Sequence, residues 1–78
     1  MPTILRVGPY RLYFYSHEPN EPPHIHIDRD RDSCKFWLDP VDLAKNIGFS
    51  EKEIRKLKSL VEEHQAELLE AWHGFFGS

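Results

Sequence analysis

One cysteine, Cys34, stands alone in the chain, so no internal disulfide can staple it. No stretch approaches the roughly 20 consecutive apolar residues that a membrane-spanning helix needs. The opening Met1-Pro2-Thr3-Ile4-Leu5-Arg6 lacks the charged head and long apolar stretch of a secretory signal. A basic excess is also missing: the net charge is −3, which argues against broad, nonspecific nucleic-acid binding but leaves room for a small basic site. There is no glycine-rich phosphate loop, no Ser-His-Asp order, no paired-carboxylate pattern and no internal repeat. The expectation is a soluble, cytoplasmic protein of bacterial style with no membrane partner.

What is present fits one domain over residues 1–78, near the lower limit for a single unstapled core. Charge is uneven along it. Residues 1–38 carry five Lys/Arg and five Asp/Glu with three of the five histidines, whereas residues 39–78 carry five and eight. The acidity therefore belongs to the second half.

Residues 3–7 and 10–17 are rich in β-branched and aromatic types and are broken by Gly8-Pro9, which predicts a tight hairpin. Glu18-Pro19-Asn20-Glu21-Pro22-Pro23 must be a loop. Residues 24–28 and 33–38 alternate with period two around the charged turn Arg29-Asp30-Arg31-Asp32. Four strands in an antiparallel meander follow. Asp39-Pro40 then resembles a helix start and Gly48 a helix stop, predicting a short helix over 40–47. Ser50 to Glu53 reads as a capping box, with Phe49 stapled onto Ile54. A long helix over 51–74 continues with Ile54, Leu57, Val61, Leu68, Trp72 and Phe75 at helical spacing. The class is α+β. The apolar stripe, widened by Leu60, Leu69 and Phe76, is broad enough to serve the short helix or a homodimer contact as well.

Alternation divides the strands into two faces. Leu5, Val7, Leu12, Phe14, Ile25, Ile27, Cys34, Phe36 and Leu38 form the core face. The other holds Arg6, Arg11, Tyr13, Tyr15, His17, His24, His26, Asp28, Ser33, Lys35 and Trp37. Ordinary solvent faces are built of Thr, Lys, Glu and Ser. This one is not. Opposing His17 with His24 and Asp28 with Ser33 gives the rows Tyr15, His26, Lys35; His17, His24, Trp37; and Tyr13, Asp28, Ser33. Arg6 and Arg11 would also be opposed, at a cost unless Asp30 or an anion sits between them.

Three readings of this face are open. In the first, His26 is an acid–base group, with Tyr15, Lys35 and Arg11 assisting, for cleavage of RNA whose bases stack on Trp37 or Tyr13. In the second, His17, His24 and His26 hold a divalent metal such as zinc, because residues two apart on a strand lie roughly 6.5–7 Å apart on one face. In the third, the aromatic and Arg-rich face docks a protein partner without catalysis. The bland account is that Tyr and Trp favour strands and that His-x-His is hydrogen-bonded locally. Cys34 reads as a small core hydrophobe, His64 as a packing residue, and His73 as a cation suited to a helix end.

Several segments closely resemble one family of short bacterial proteins. They are Met1-Pro2-Thr3-Ile4, Tyr13-Phe14-Tyr15-Ser16, Glu21-Pro22-Pro23-His24-Ile25-His26-Ile27, Lys35-Phe36-Trp37-Leu38, Gly48-Phe49-Ser50 and Leu69-Glu70-Ala71-Trp72. The family is the domain of unknown function 4160. The resemblance implies a stand-alone domain often encoded beside another small protein, of the family numbered 2442. That arrangement is similar to a toxin–antitoxin pair. It implies a small partner protein encoded nearby, and motif positions Glu21, Pro22, Pro23, His24 and His26 without assigned roles.

Overall fold

Three two-residue turns organise most of the sheet. The computed structural model describes residues 3–14 and 21–77. Strand β1 (Thr3–Val7) turns through Gly8-Pro9 into β2 (Tyr10–Tyr13), with Val7 opposite Tyr10 and Gly8 at φ 55°. Glycine reaches that left-handed value without a Cβ clash, which suits a tight hairpin. Strand β3 (His24–Arg29) turns through Asp30-Arg31 into β4 (Asp32–Leu38), and Asp30 takes φ 55°, a conformation Asp tolerates. Strand β4 turns through Asp39-Pro40, joined by a cis peptide bond, into β5 (Val41–Ile47). The five strands lie in chain order, each antiparallel to the next.

Helices α1 (Glu51–Glu63) and α2 (Gln65–Phe76) close the core. Leu12, Ile25, Ile27, Phe36 and Leu38 come from the sheet and Phe14 from the residue just after β2; Leu57, Val61, Leu68 and Trp72 come from the helices; all are buried. Each such side chain contributes roughly 1.5–3 kcal/mol by leaving water. Phe14 meets Trp72 edge-on at 5.2 Å between ring centres, and Trp72 lies 4.3 Å from Phe76. The core face is the one the alternation pattern marks.

The fold differs from expectation in three places. The segment 40–47 is not a short helix but the fifth strand. Pro40 suits a helix's first turn and a tight turn equally, and Gly48 has a positive φ of 101° after a strand rather than after a helix. Glycine is needed there for a further reason: a Cβ at Gly48 would collide with the Asp32 carboxylate. Second, the helix expected over 51–74 is two helices, interrupted at His64 (φ −104°, ψ 12°). Gln65 Nε2 donates to the Leu38 carbonyl at 2.7 Å, tying the junction to the end of β4. Each half then directs its own stripe at the core, which is why the combined stripe is so wide. Third, only half of the capping box forms. Ser50 Oγ accepts from Glu53 N at 3.1 Å, but the Glu53 carboxylate takes Tyr10 Oη at 2.7 Å and pairs with Arg29 instead. Smaller differences are that β3 runs on to Arg29 and β4 begins at Asp32. Of the strand expected over 10–17, β2 covers Tyr10–Tyr13, and residues 15–17 lie outside the described residues.

Candidate functional site

The second face is built by β2, β3, β4 and β5 side by side. The pairing places Tyr13 opposite His26, His26 opposite Lys35, and Lys35 opposite Lys45. The neighbouring row is Arg6, Arg11, Asp28, Ser33 and Ile47. His24 opposes Trp37. Relative to the expected register, β2 is displaced by two residues against β3. Tyr13 therefore takes the place beside His26 that was assigned to Tyr15. A shift of two keeps every side chain on its face, so the composition of the face survives. The expected opposition of Arg6 and Arg11 is present, but the acid that faces Arg11 from β3 is Asp28 rather than Asp30, which lies in the turn.

His26 is half-buried, and its ring lies nearly parallel to that of Tyr13, with centres 5.3 Å apart and planes 18° apart. Tyr13 is itself buried; its hydroxyl donates to both oxygens of Asp28 at 3.1 Å, and the Arg11 guanidinium sits 4.7 Å over its ring. Asp28 thus serves two neighbours. It holds the Tyr13 hydroxyl and stands opposite Arg11 on the facing strand. Lys35 Nζ pairs with Glu21 and lies 4.6 Å over the Trp37 ring.

His24 behaves differently from His26. It is fully buried, with ring centres 4.8 Å from Trp72, 5.9 Å from Trp37 and 5.2 Å from His26. Its Nδ1 stands 2.9 Å from the Pro22 carbonyl. A carbonyl only accepts, so Nδ1 carries the hydrogen in this contact. Glu21 Oε1, the acceptor for Lys35, is 3.9 Å from the same nitrogen. The Glu21-Pro22-Pro23-His24 motif therefore does structural work: it delivers a carboxylate to Lys35 and a carbonyl to His24. Leu38 N donates to the Pro23 carbonyl at 3.0 Å, which anchors the motif to the end of β4.

A cleft of about 260 Å³ opens on this face, lined by Tyr13, His26, Ser33, Lys35, Lys45 and Ile47, with Cys34 at its floor. Burial, reinforced by the charges of Asp28 and Glu53, pushes the Cys34 thiol up to about 12, so it is a protonated core residue at neutral pH. On the helix side, burial together with the hydrogen bond to Glu53 raises the Tyr10 hydroxyl above its ordinary value.

Of the residues singled out from sequence, the structure brings His26 and Lys35 into one row of the cleft, with Arg11 in the next row. Tyr15 and His17 lie outside the described residues. His24 adjoins His26 edge-on, and among the described residues no three His, Cys, Asp or Glu side chains gather at metal-binding spacing. Lys45 and Ile47 escaped the sequence reading because 40–47 was expected to be a helix. The alternation Val41, Leu43 against Asp42 was the available signal, and it breaks at Ala44.

The fold and the site define a class: a five-stranded antiparallel meander backed by two helices, with a cleft of histidine, tyrosine and lysine on the other face. The chain belongs to the family described as Domain of unknown function (DUF4160), whose model matches residues 10–73. No curated protein and no solved structure matches the chain. No helix among the described residues is long and apolar enough to cross a membrane.

Proposed function

We propose that the second sheet face binds single-stranded RNA, that His26 is its acid–base group, and that the protein is one half of a toxin–antitoxin-like pair. The observation that carries the RNA reading is the row Tyr13, His26, Lys35, Lys45 along a cleft of about 260 Å³. Stacked on Tyr13, the His26 ring has few orientations open to it, and a neutral imidazole so held can accept the proton of a 2′-hydroxyl. The 2′-oxygen then attacks phosphorus, the bond to the 5′-oxygen breaks, and solvent supplies the proton that oxygen needs. Lys35 and Arg11 oppose the negative charge that grows on the phosphoryl oxygens. Tyr15 is assigned an assisting role from its place on the same face of the sequence pattern. The toxin–antitoxin role comes from the family resemblance and the two-gene arrangement it implies.

The test is cleavage of an end-labelled RNA by the purified protein in excess chelator, beside His26→Ala. Cleavage that survives chelation, gives cyclic phosphate ends and disappears in His26→Ala supports the reading. The same pair is then expressed in bacteria with and without a neighbouring gene. Growth arrest by the wild type alone, absent for His26→Ala at equal protein levels, extends the reading to a toxin. Normal growth at high expression removes that part. A divalent metal at His17, His24 and His26 would instead give bound zinc near one per chain, lost in His24→Ala. A noncatalytic interface for a small protein would weaken on aromatic substitution and ignore His26→Ala.

A further inference from the structure

Lys45 occupies its position because of an irregularity in β5. Phe36 pairs with Leu43, yet Lys35, one residue away, pairs with Lys45. Ala44 is therefore an extra residue, a β-bulge in the edge strand. Without it, Leu43 and Lys45 would share a face. With it, Leu43 stays on the side of Phe36, while Lys45 crosses to the cleft. Bulges commonly re-aim a side chain beside a functional site.

The result is two lysines directly opposed, an arrangement that costs stability between strands unless an anion sits near both. A lysine that merely guards an exposed edge needs no such partner. The cations of the face also differ in how far they are already balanced. Arg6 and Arg11 stand outside the cleft lining, and Lys35 is paired with Glu21. Lys45 is exposed and makes no ion pair among the described residues.

Resting on the RNA reading above, in which Lys35 and Arg11 act on the charge that develops during cleavage, we infer that Lys45 makes the phosphate contact that binds the strand before reaction, and that it engages a single phosphodiester. The substrate class is then a short, singly anchored stretch of RNA rather than a tract held by many phosphates. This agrees with a chain of net charge −3. One neutralised phosphate on a single strand gives a salt slope of about 0.7, or about threefold in Kd for a fivefold rise in salt.

The experiment titrates a fluorescent single-stranded RNA of mixed sequence with the full-length protein at about 50 and about 250 mM KCl. Wild type should lose about threefold in affinity across that range. Lys45→Ala should bind more weakly at low salt and respond little to salt, and Lys45→Arg should restore both values. Lys58→Ala, which removes an exposed charge from α1, should match wild type and so controls for net charge. If Lys45→Ala keeps the wild-type affinity and slope, the assignment is overturned while RNA binding stands. A wild-type loss well beyond tenfold overturns the single-phosphate part. Failure of the folded wild type to bind RNA at either salt removes the underlying reading and this inference with it. Circular dichroism of each variant identifies loss of fold.

Discussion

Tyr13 and His26 face each other across β2 and β3 with their rings nearly parallel, 5.3 Å apart, while the Tyr13 hydroxyl is held by Asp28. Ring and hydroxyl therefore do separate jobs. Tyr13→Phe should keep the stack and lose about 1–2 kcal/mol of stability with the bond to the carboxylate. Tyr13→Leu should lose the stack as well. The upfield ring-current shift of the His26 imidazole protons, read by NMR, should persist in the first variant and vanish in the second. A shift absent from wild type would refute the stacked arrangement.

Gly48 combines a positive φ with a close approach to Asp32. Gly48→Ala should destabilise the fold by roughly 1–3 kcal/mol in urea unfolding, part from the backbone and part from the collision. The parts separate in a double variant. Asp32→Ala removes the collision, so Gly48→Ala should cost less in that background. Equal costs in both backgrounds would show that only the backbone matters.

Tyr10 links β2 to the first turn of α1 through Glu53. Tyr10→Phe should cost about 1.5 kcal/mol at neutral pH, the lower end for a bond to a carboxylate, because Arg29 still pairs with Glu53. Fraying should concentrate in the first turn of α1. Hydrogen exchange of the amides following Ser50 should quicken more than that of β3, and uniform quickening would contradict the local tie.

Alkaline pH should loosen the protein through Cys34. Its thiol is raised from 9.0 to about 12 in the fold by burial, with Asp28 and Glu53 adding to the effect. A raised pKa means that the unfolded chain loses the proton first. Stability is therefore intact below about pH 9 and falls between 9 and 12, by at most about 1.4 kcal/mol per pH unit. Cys34→Ala should flatten this decline in urea unfolding at stepped pH. Tyr10, also raised, adds to the decline above its ordinary value of 10.0, and that part should remain in the variant. A decline identical in wild type and Cys34→Ala would remove the thiol as its source.

Most of the sheet was legible because its faces follow from period-two alternation and its turns from Gly8-Pro9 and Asp30-Arg31. What escaped shares a cause: cues that belong to more than one structure. Asp39-Pro40 opens a helix or turns a hairpin, and Gly48 relieves a positive φ after either element. The bulge at Ala44 hid the alternation that would have marked β5, and with it Lys45. The two-residue displacement between β2 and β3 replaced Tyr15 by Tyr13 beside His26 without moving His26 or Lys35 off the face. The break at His64 was invisible to periodicity, since a helix spacing of apolar residues runs through it. At that break Gln65 is tied to Leu38, a contact between distant parts of the chain that periodicity does not encode.

Strand order that repeats chain order has a kinetic consequence. Every strand pairs with its sequence neighbour, and three of the four joins close through two residues, so little loop entropy opposes the growth of the sheet. The contacts of long span are those between sheet and helices, such as Tyr10 with Glu53 and Phe14 with Trp72. The meander can therefore zip up hairpin by hairpin while the chain emerges from the ribosome. His26 and the lysines would then be aligned before the helices arrive to seal the opposite side.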